Sequence, residues 1–208
     1  MIETDIKTPK QARAEVTVGH ISEAATQLLD REQDPQFTTN HIAERSGFSI
    51  GTVYRYFPNK EAIFRFVAKR EISRTKQKLT DFIAQSDAST PHEFLDGFVG
   101  ISATIFGGRP KAAHRFRNLA QNDPDLVRHA NSVRQDICDL LSVKLSTLDP
   151  VVFRPLDQDE LKVVAEVFKS TMINLGQMAK NSSIQKDTKI SLIYGIMSAF
   201  AIDVPVQK

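Results

Sequence analysis

Apolar positions in this chain recur at helical spacing, and the polar residues between those runs are the residues that start and stop helices. Thr8-Pro9-Lys10-Gln11 joins an N-cap hydroxyl to proline at the first helical position and a glutamine two residues on. That signature predicts a helix running to about Arg31, with Val18, Ile21, Ala25 and Leu28 along one face. Thr90-Pro91-His92-Glu93 repeats it, Asp123-Pro124 marks a third start, and Asp157 with Glu160 a fourth. No Asn-Gly or Asp-Gly turn sits between alternating strands, and there is no internal repeat or low-complexity segment. The expected fold is all-α, with about nine helices.

Two stretches shape the expected organisation. From Asn59, a plausible N-cap, to about Gln85, an interrupted apolar face of Ile63, Val67, Ile72, Leu79 and Ile83 predicts one continuous helix of about 40 Å. Just before it, Thr38 or Thr39 can cap a short helix ending near Arg45. Ser46-Gly47-Phe48 makes a tight connection in which Gly47 is free to take a positive φ, and Ser49 caps a second short helix through Tyr56. Ile42, Phe48 and Val53 anchor the pair, and Ala43 is small where two helices must cross closely. Two short helices joined by a Gly-containing turn form a helix-turn-helix, whose second helix meets the DNA major groove. The expected division is a DNA-binding module over 8–58 and a larger helical domain over 59–208, joined by the helix of 59–85.

Composition and charge fit this picture. With 41% hydrophobic and 25% charged residues over 208 positions, the chain can bury a proper core. Its longest apolar runs are too short for a membrane span, and the first ten residues lack the apolar run of a signal peptide. Cys138 is the only cysteine, which excludes an internal disulfide and a cysteine-based zinc site. An intracellular, cytoplasmic setting is expected. The net charge of +2 hides an asymmetry: Thr38–Lys78 holds nine Lys/Arg against three Glu, a local +6, leaving −4 for the rest. A basic segment in a mildly acidic chain is the electrostatic pattern of a nucleic-acid contact.

Chemistry points the same way within the helix-turn-helix. With Val53 turned inward, Thr52, Tyr54, Arg55 and Tyr56 fall on the outside or the rim, and hydroxyls and guanidinium bond phosphate oxygens and base edges. Gly51 lets backbone approach closely. Lys60 adds a full charge to the positive end of the long helix.

At these residues the sequence resembles the N-terminal signature of the TetR (tetracycline-repressor-like) family of bacterial transcriptional regulators. The matching residues are Thr38, Ile42, Ala43, Gly47, Ser49, Gly51, Thr52, Tyr54, Tyr56, Phe57, Lys60 and Glu61, within a similarity covering about 14 to 70. Ile50 and Asn40 depart from it, standing where many relatives carry a polar or basic residue and an arginine respectively. The resemblance implies that Thr52, Tyr54, Tyr56 and Lys60 hold the DNA backbone, with Thr39, Asn40, Ile50, Gly51 and Arg55 near bases or flanking phosphates. It implies that the larger domain over 59–208 senses a ligand and dimerises. It therefore implies a homodimeric, ligand-responsive repressor on a palindromic operator, with a small-molecule effector of unknown identity.

The remaining two-thirds carries weaker signals. Phe94, Phe98, Ile101 and Ile105 form a helical stripe, and with Thr104, Arg115, Phe116 and Asn118 they could line an apolar pocket with polar anchors. Leu161, Ala165, Phe168 and Met172 give one wide apolar face, and Ser191, Gly195, Ser198 and Ile202 give a close-packing stripe. Together these predict a two-fold four-helix dimer interface. Catalytic chemistry is not expected: the five histidines include no H-E-x-x-H pair, and Cys138 lies nine residues from His129, off its helical face. No metal or cofactor is expected. The competing readings are a helical ligand-binding adaptor or an enzyme without DNA binding.

Overall fold

A computed structural model describes residues 9–29, 37–107, 122–167, 191, 195, 196 and 200. Among them the chain is helical: α1 (Pro9–Leu29), α2 (Thr39–Ser46), α3 (Ile50–Tyr56), α4 (Lys60–Gln85), α5 (Pro91–Gly107), α6 (Pro124–Leu148) and α7 (158–167). Seven helices are fewer than the nine expected over the whole chain; isolated helical positions at 191, 195, 196 and 200 show that further helix lies beyond α7.

The capping chemistry explains where these helices begin. Thr90 Oγ1 accepts from Glu93 N at 3.2 Å, and the Glu93 carboxylate reaches back to accept from Ser89 N at 3.0 Å. Asp123 Oδ1 accepts from Asp125 N and Leu126 N, ahead of proline at the start of α6. Asp157 and Glu160 reciprocate at the start of α7: Asp157 Oδ1 accepts from Glu160 N, and Glu160 Oε2 accepts from Asp157 N, at 2.9 and 2.8 Å. Arg154 then grips the same Glu160 carboxylate with both terminal nitrogens.

Burial sorts the helices into three apolar clusters. One closes the N-terminal module: Ile21, Ala25 and Leu28 of α1, Ile42 and Ala43 of α2, Val53 of α3, Phe57, and Ile63 and Val67 of α4. A second forms the body, where Leu79 and Ile83 of α4 meet Phe94, Leu95, Phe98 and Val99 of α5 and the inner faces of α6 and α7. A small third cluster of Leu29, Phe64, Ala68 and Leu126 bridges them, tying α1 and α4 to the start of α6.

Helices α4 and α6 are fastened along their whole length. Arg65 Nε lies 2.6 Å from Asp123 Oδ2, Lys76 Nζ 2.5 Å from Asp136 Oδ2, and Lys144 Nζ donates to the carbonyl of Ser86, the C-cap of α4, at 2.9 Å. The partners advance together from one end of each helix to the other, so the two run parallel in a fixed register. Lys144 also sits 5.8 Å from the centre of the Phe94 ring, placing its charge over an aromatic face and at the negative end of α4.

Inside the body, Phe82, Phe94 and Phe98 form an aromatic trio with centroid separations of 5.8 to 6.3 Å. Gly97 makes room for it: a Cβ there would come within 2.8 Å of Phe82 Cζ. Ser102 is fully buried on the same helix, and its hydroxyl has no hydrogen-bond partner among the described residues.

Candidate nucleic-acid interface

Local chemistry builds the α2–turn–α3 unit from the backbone outward. Thr38 is the N-cap of α2, its hydroxyl accepting from His41 N at 3.3 Å, which settles the choice between Thr38 and Thr39. Gly47 takes the left-handed conformation at φ 75°, and Phe48 N donates back to Ala43 O at 3.2 Å, closing the turn. Ser49 caps α3 by accepting from Thr52 N at 3.1 Å. Ile42 and Val53 are completely buried and fix the crossing, as their spacing predicts.

With Val53 inward, the outer surface follows from helical geometry. Ile50, Gly51, Tyr54 and Arg55 are exposed, and Tyr54 shows 52% of its surface. Tyr56 is half-buried and packs against the module core, so it reaches the rim, with the Arg55 guanidinium 5.9 Å from its ring centre. Thr39 is half-buried, and its hydroxyl lies 3.2 Å from the Tyr54 hydroxyl. This bond across two helices orients the phenol. Thr52 is similarly held by Ser49, at 2.9 Å between hydroxyl oxygens. Asn40 is exposed on α2.

At the edge of this surface Asn59 caps α4, its Oδ1 accepting from Ala62 N at 2.8 Å, and Lys60 is exposed beside it. Of the nine residues singled out from the sequence, Ile50, Gly51, Tyr54 and Arg55 are exposed on α3, Thr39 meets Tyr54 from α2, Asn40 and Lys60 are exposed on α2 and α4, and Thr52 and Tyr56 are half-buried. The structure adds two things spacing does not show. One is the Thr39–Tyr54 pairing, 15 positions apart in sequence. The other is Arg45, which donates to Gln27 Oε1 at 2.9 Å and so braces α2 against α1.

The expected pocket residues fare differently. Phe94 and Phe98 are wholly buried in the aromatic trio, and Ile101 and Ile105 are half-buried against the body core. Thr104 is exposed and turns its hydroxyl back to Gly100 O at 3.1 Å. Arg115, Phe116 and Asn118 lie outside the described residues. Ser102 gives only a weak sequence signal, a hydroxyl shared with Thr104 in the otherwise apolar second half of α5.

Of the expected dimer face, Leu161 and Ala165 are buried in the core of the single chain, which takes them off its surface. Helix α7 instead exposes Val163 and Val167, one turn apart. Ser191 and Gly195 are exposed, and among the described residues nothing lies within 4 Å of a Cβ built on Gly195. Phe168, Met172, Ser198 and Ile202 lie outside the described residues.

Cys138 is fully buried, and burial pushes its thiol up to about 12, a shift only partly opposed by Arg134 nearby. No cluster of three or more His, Cys, Asp or Glu able to hold a metal occurs among the described residues, and none of their helices is long and apolar enough to cross a membrane.

Residues 21–67 match the family model of bacterial regulatory proteins, tetR family. Among curated proteins, the nucleoid occlusion factor SlmA of Haemophilus ducreyi is 38% identical over 87 residues, 41% of each chain. The chain thus spans about two-fifths of that relative's length. The fatty acid metabolism regulator protein of Bacillus subtilis is 23% identical over 176 residues, 83% of this chain and 86% of that protein. Among solved structures, a TetR family transcription regulator from Marinobacter aquaeolei superposes with a TM-score of 0.66 at 15% identity, covering 92% of this chain and 99% of the other. The fatty acid degradation regulator FadR of Bacillus halodurans gives 0.60 at 19% identity, with 92% and 94% covered. At these identities the structural likeness establishes the fold.

Proposed function

We propose, for a chain whose N-terminal module over residues 21–67 is that of the tetR family of bacterial regulatory proteins, that it is a ligand-responsive transcriptional repressor binding a palindromic operator as a homodimer. The observation that carries this reading is the outer face of α3. Hydroxyl and guanidinium groups stand there, Lys60 is exposed at the start of α4, and the two key hydroxyls, those of Tyr54 and Thr52, are oriented by Thr39 and Ser49. Preorganised polar side chains on a groove-sized helix suit backbone positioning and base reading. In this reading Thr52, Tyr54, Tyr56 and Lys60 hold phosphates, while Thr39, Asn40, Ile50, Gly51 and Arg55 lie nearer the bases.

The module of 8–58 is the reader, and 59–208 senses and dimerises. Val163, Val167 and Gly195 supply surface for a second copy. The unsatisfied Ser102 hydroxyl supports an effector site in the body, because a buried hydroxyl without a partner costs about 1–3 kcal/mol until something bonds it. Two of the similar proteins are named for fatty acid metabolism or degradation, which makes a fatty acid the first effector to try. An effector that changes the separation of the two recognition helices weakens operator binding, because both must enter successive major grooves together.

The test is selection of duplexes from a random library by the full chain, followed by salt titration of the enriched sequence. Tight binding with a steep salt dependence is expected, and Lys60→Ala should flatten the slope by roughly one unit per subunit for selected and random DNA alike. Failure to enrich any duplex would overturn the reading in favour of a helical adaptor.

A further inference from the structure

We propose that Ile50 reads the 5-methyl group of a thymine in each half of the operator, so that this position of the site must be an A·T pair in one orientation. The inference rests on the DNA-binding reading above and adds a base identity to it. On the outer face of α3 the exposed positions stand in two adjacent columns, Ile50 with Tyr54 and Gly51 with Arg55, each pair one turn apart. Three of these four positions have an evident use. The Tyr54 hydroxyl is held by Thr39, the Arg55 guanidinium lies over the rim of the Tyr56 ring, and Gly51 leaves its side of the helix open, with only Ser49 Oγ near a Cβ built there.

Ile50 is different in kind. It is 38% exposed and belongs to none of the three apolar clusters, so its side chain contributes nothing to the described core. An aliphatic chain offers no donor or acceptor. Set over the polar edge of a G·C pair, it would strip water from groups it cannot bond, which is unfavourable. The major groove presents one apolar group, the methyl of thymine, and only against that group does burying Ile50 gain free energy. The bare Gly51 beside it removes the side chain that would otherwise keep the aliphatic chain from reaching the groove floor. Attraction to the methyl and rejection of the polar edges act together, and the rejection gives the preference its direction.

The experiment uses the full chain and a duplex that it enriches from a random library. Each thymine of that duplex is replaced singly by deoxyuridine, which deletes the methyl and leaves every hydrogen-bonding group in place. Burial of about one methyl group corresponds to about a fourfold loss of affinity per half-site, and about 15-fold when both symmetry-related thymines are changed. Ile50→Ala should bind the thymine and deoxyuridine duplexes equally at that position, while keeping its response to the other bases. Ile50→Gln, which adds donors and acceptors at the same exposed site, should move the preferred base pair on reselection. The proposal is overturned if no thymine methyl matters, or if its loss weakens the Ile50→Ala protein as much as the parent. Failure of the library to enrich at all would defeat the DNA-binding reading itself and this one with it; enrichment without a methyl effect defeats only the role given to Ile50.

Discussion

Replacing Gly97 by alanine should destabilise the protein, although the same change three residues along, at Gly100, should stabilise it. Both glycines lie inside α5, where alanine is favoured by about 0.5–1 kcal/mol because it loses less backbone entropy on folding. They differ in what a Cβ would meet. At Gly100 there is nothing within 4 Å; at Gly97 the new atom would lie 2.8 Å from Phe82 Cζ and 3.3 Å from Cε2. Carbon atoms pack best at about 3.5–4.0 Å, so the ring must retreat by roughly 0.7 Å or more. Phe82 has little freedom to do so, being stacked on Phe94 at 5.8 Å and tilted against Phe98 at 6.2 Å. Overpacking of this kind costs about 1–3 kcal/mol. Subtracting the helical gain leaves a loss between zero and about 2.5 kcal/mol, centred near 1. For a chain of this size each kcal/mol moves Tm by about 2–4 °C, so Gly97→Ala should melt about 3 °C below the parent and Gly100→Ala about 2 °C above it. Thermal denaturation followed by circular dichroism resolves that gap. In a Phe82→Leu background the clash is relieved, and Gly97→Ala should become neutral or stabilising, a coupling of about 0.5–3 kcal/mol. An equal rise in Tm for both glycine variants in the parent chain would refute the packing argument.

Further outcomes follow from the charges and the thiol. Cys138, held neutral by burial, should not react with a disulfide reagent at pH 8 in the native protein and should titrate as one thiol after denaturation; stoichiometric native labelling would place it at the surface. Glu160 is held down to about 2, first by the hydrogen bonds from Arg154 and then by Asp157 N–H, so carbon-detected NMR should find its carboxyl midpoint there. Because the folded value is depressed, its contribution to stability is present above the ordinary value near 4.5 and is lost as pH falls towards 2. Arg154→Ala should raise the midpoint, and a parent midpoint near 4.5 would show that the pair does not persist in solution.

The helix-turn-helix was legible because its determinants are local. Thr38, Gly47 and Ser49 act within four residues of themselves, and Ile42 and Val53 are apolar positions whose burial follows from period alone. The long helix was legible for the same reason, from Asn59 to its apolar face. What spacing could not supply were relations between distant positions. Asp123 announced a helix start, but its second oxygen goes to Arg65, 58 positions away, and no local rule names that partner. Leu161 and Ala165 illustrate the other failure: an apolar face shows that something covers it, not whether the cover is the same chain or a second copy. Phe94 and Phe98 lie on a true stripe, and only the presence of Phe82 opposite decides that they fill space.

The parallel pairing of α4 with α6 makes a two-rod truss of what would otherwise be a single slender helix. A lone helix of this length can bow, dissipating a push at one end as curvature. Two rods cross-braced at Arg65–Asp123, Lys76–Asp136 and Lys144–Ser86 must break a brace to slide past each other, which favours their turning together. Over α4's 26 residues, about 39 Å, a rotation of only about 5° separates the ends by about 3 Å. Were the body to tilt in this way, Lys60 at the far end of α4 would move with it.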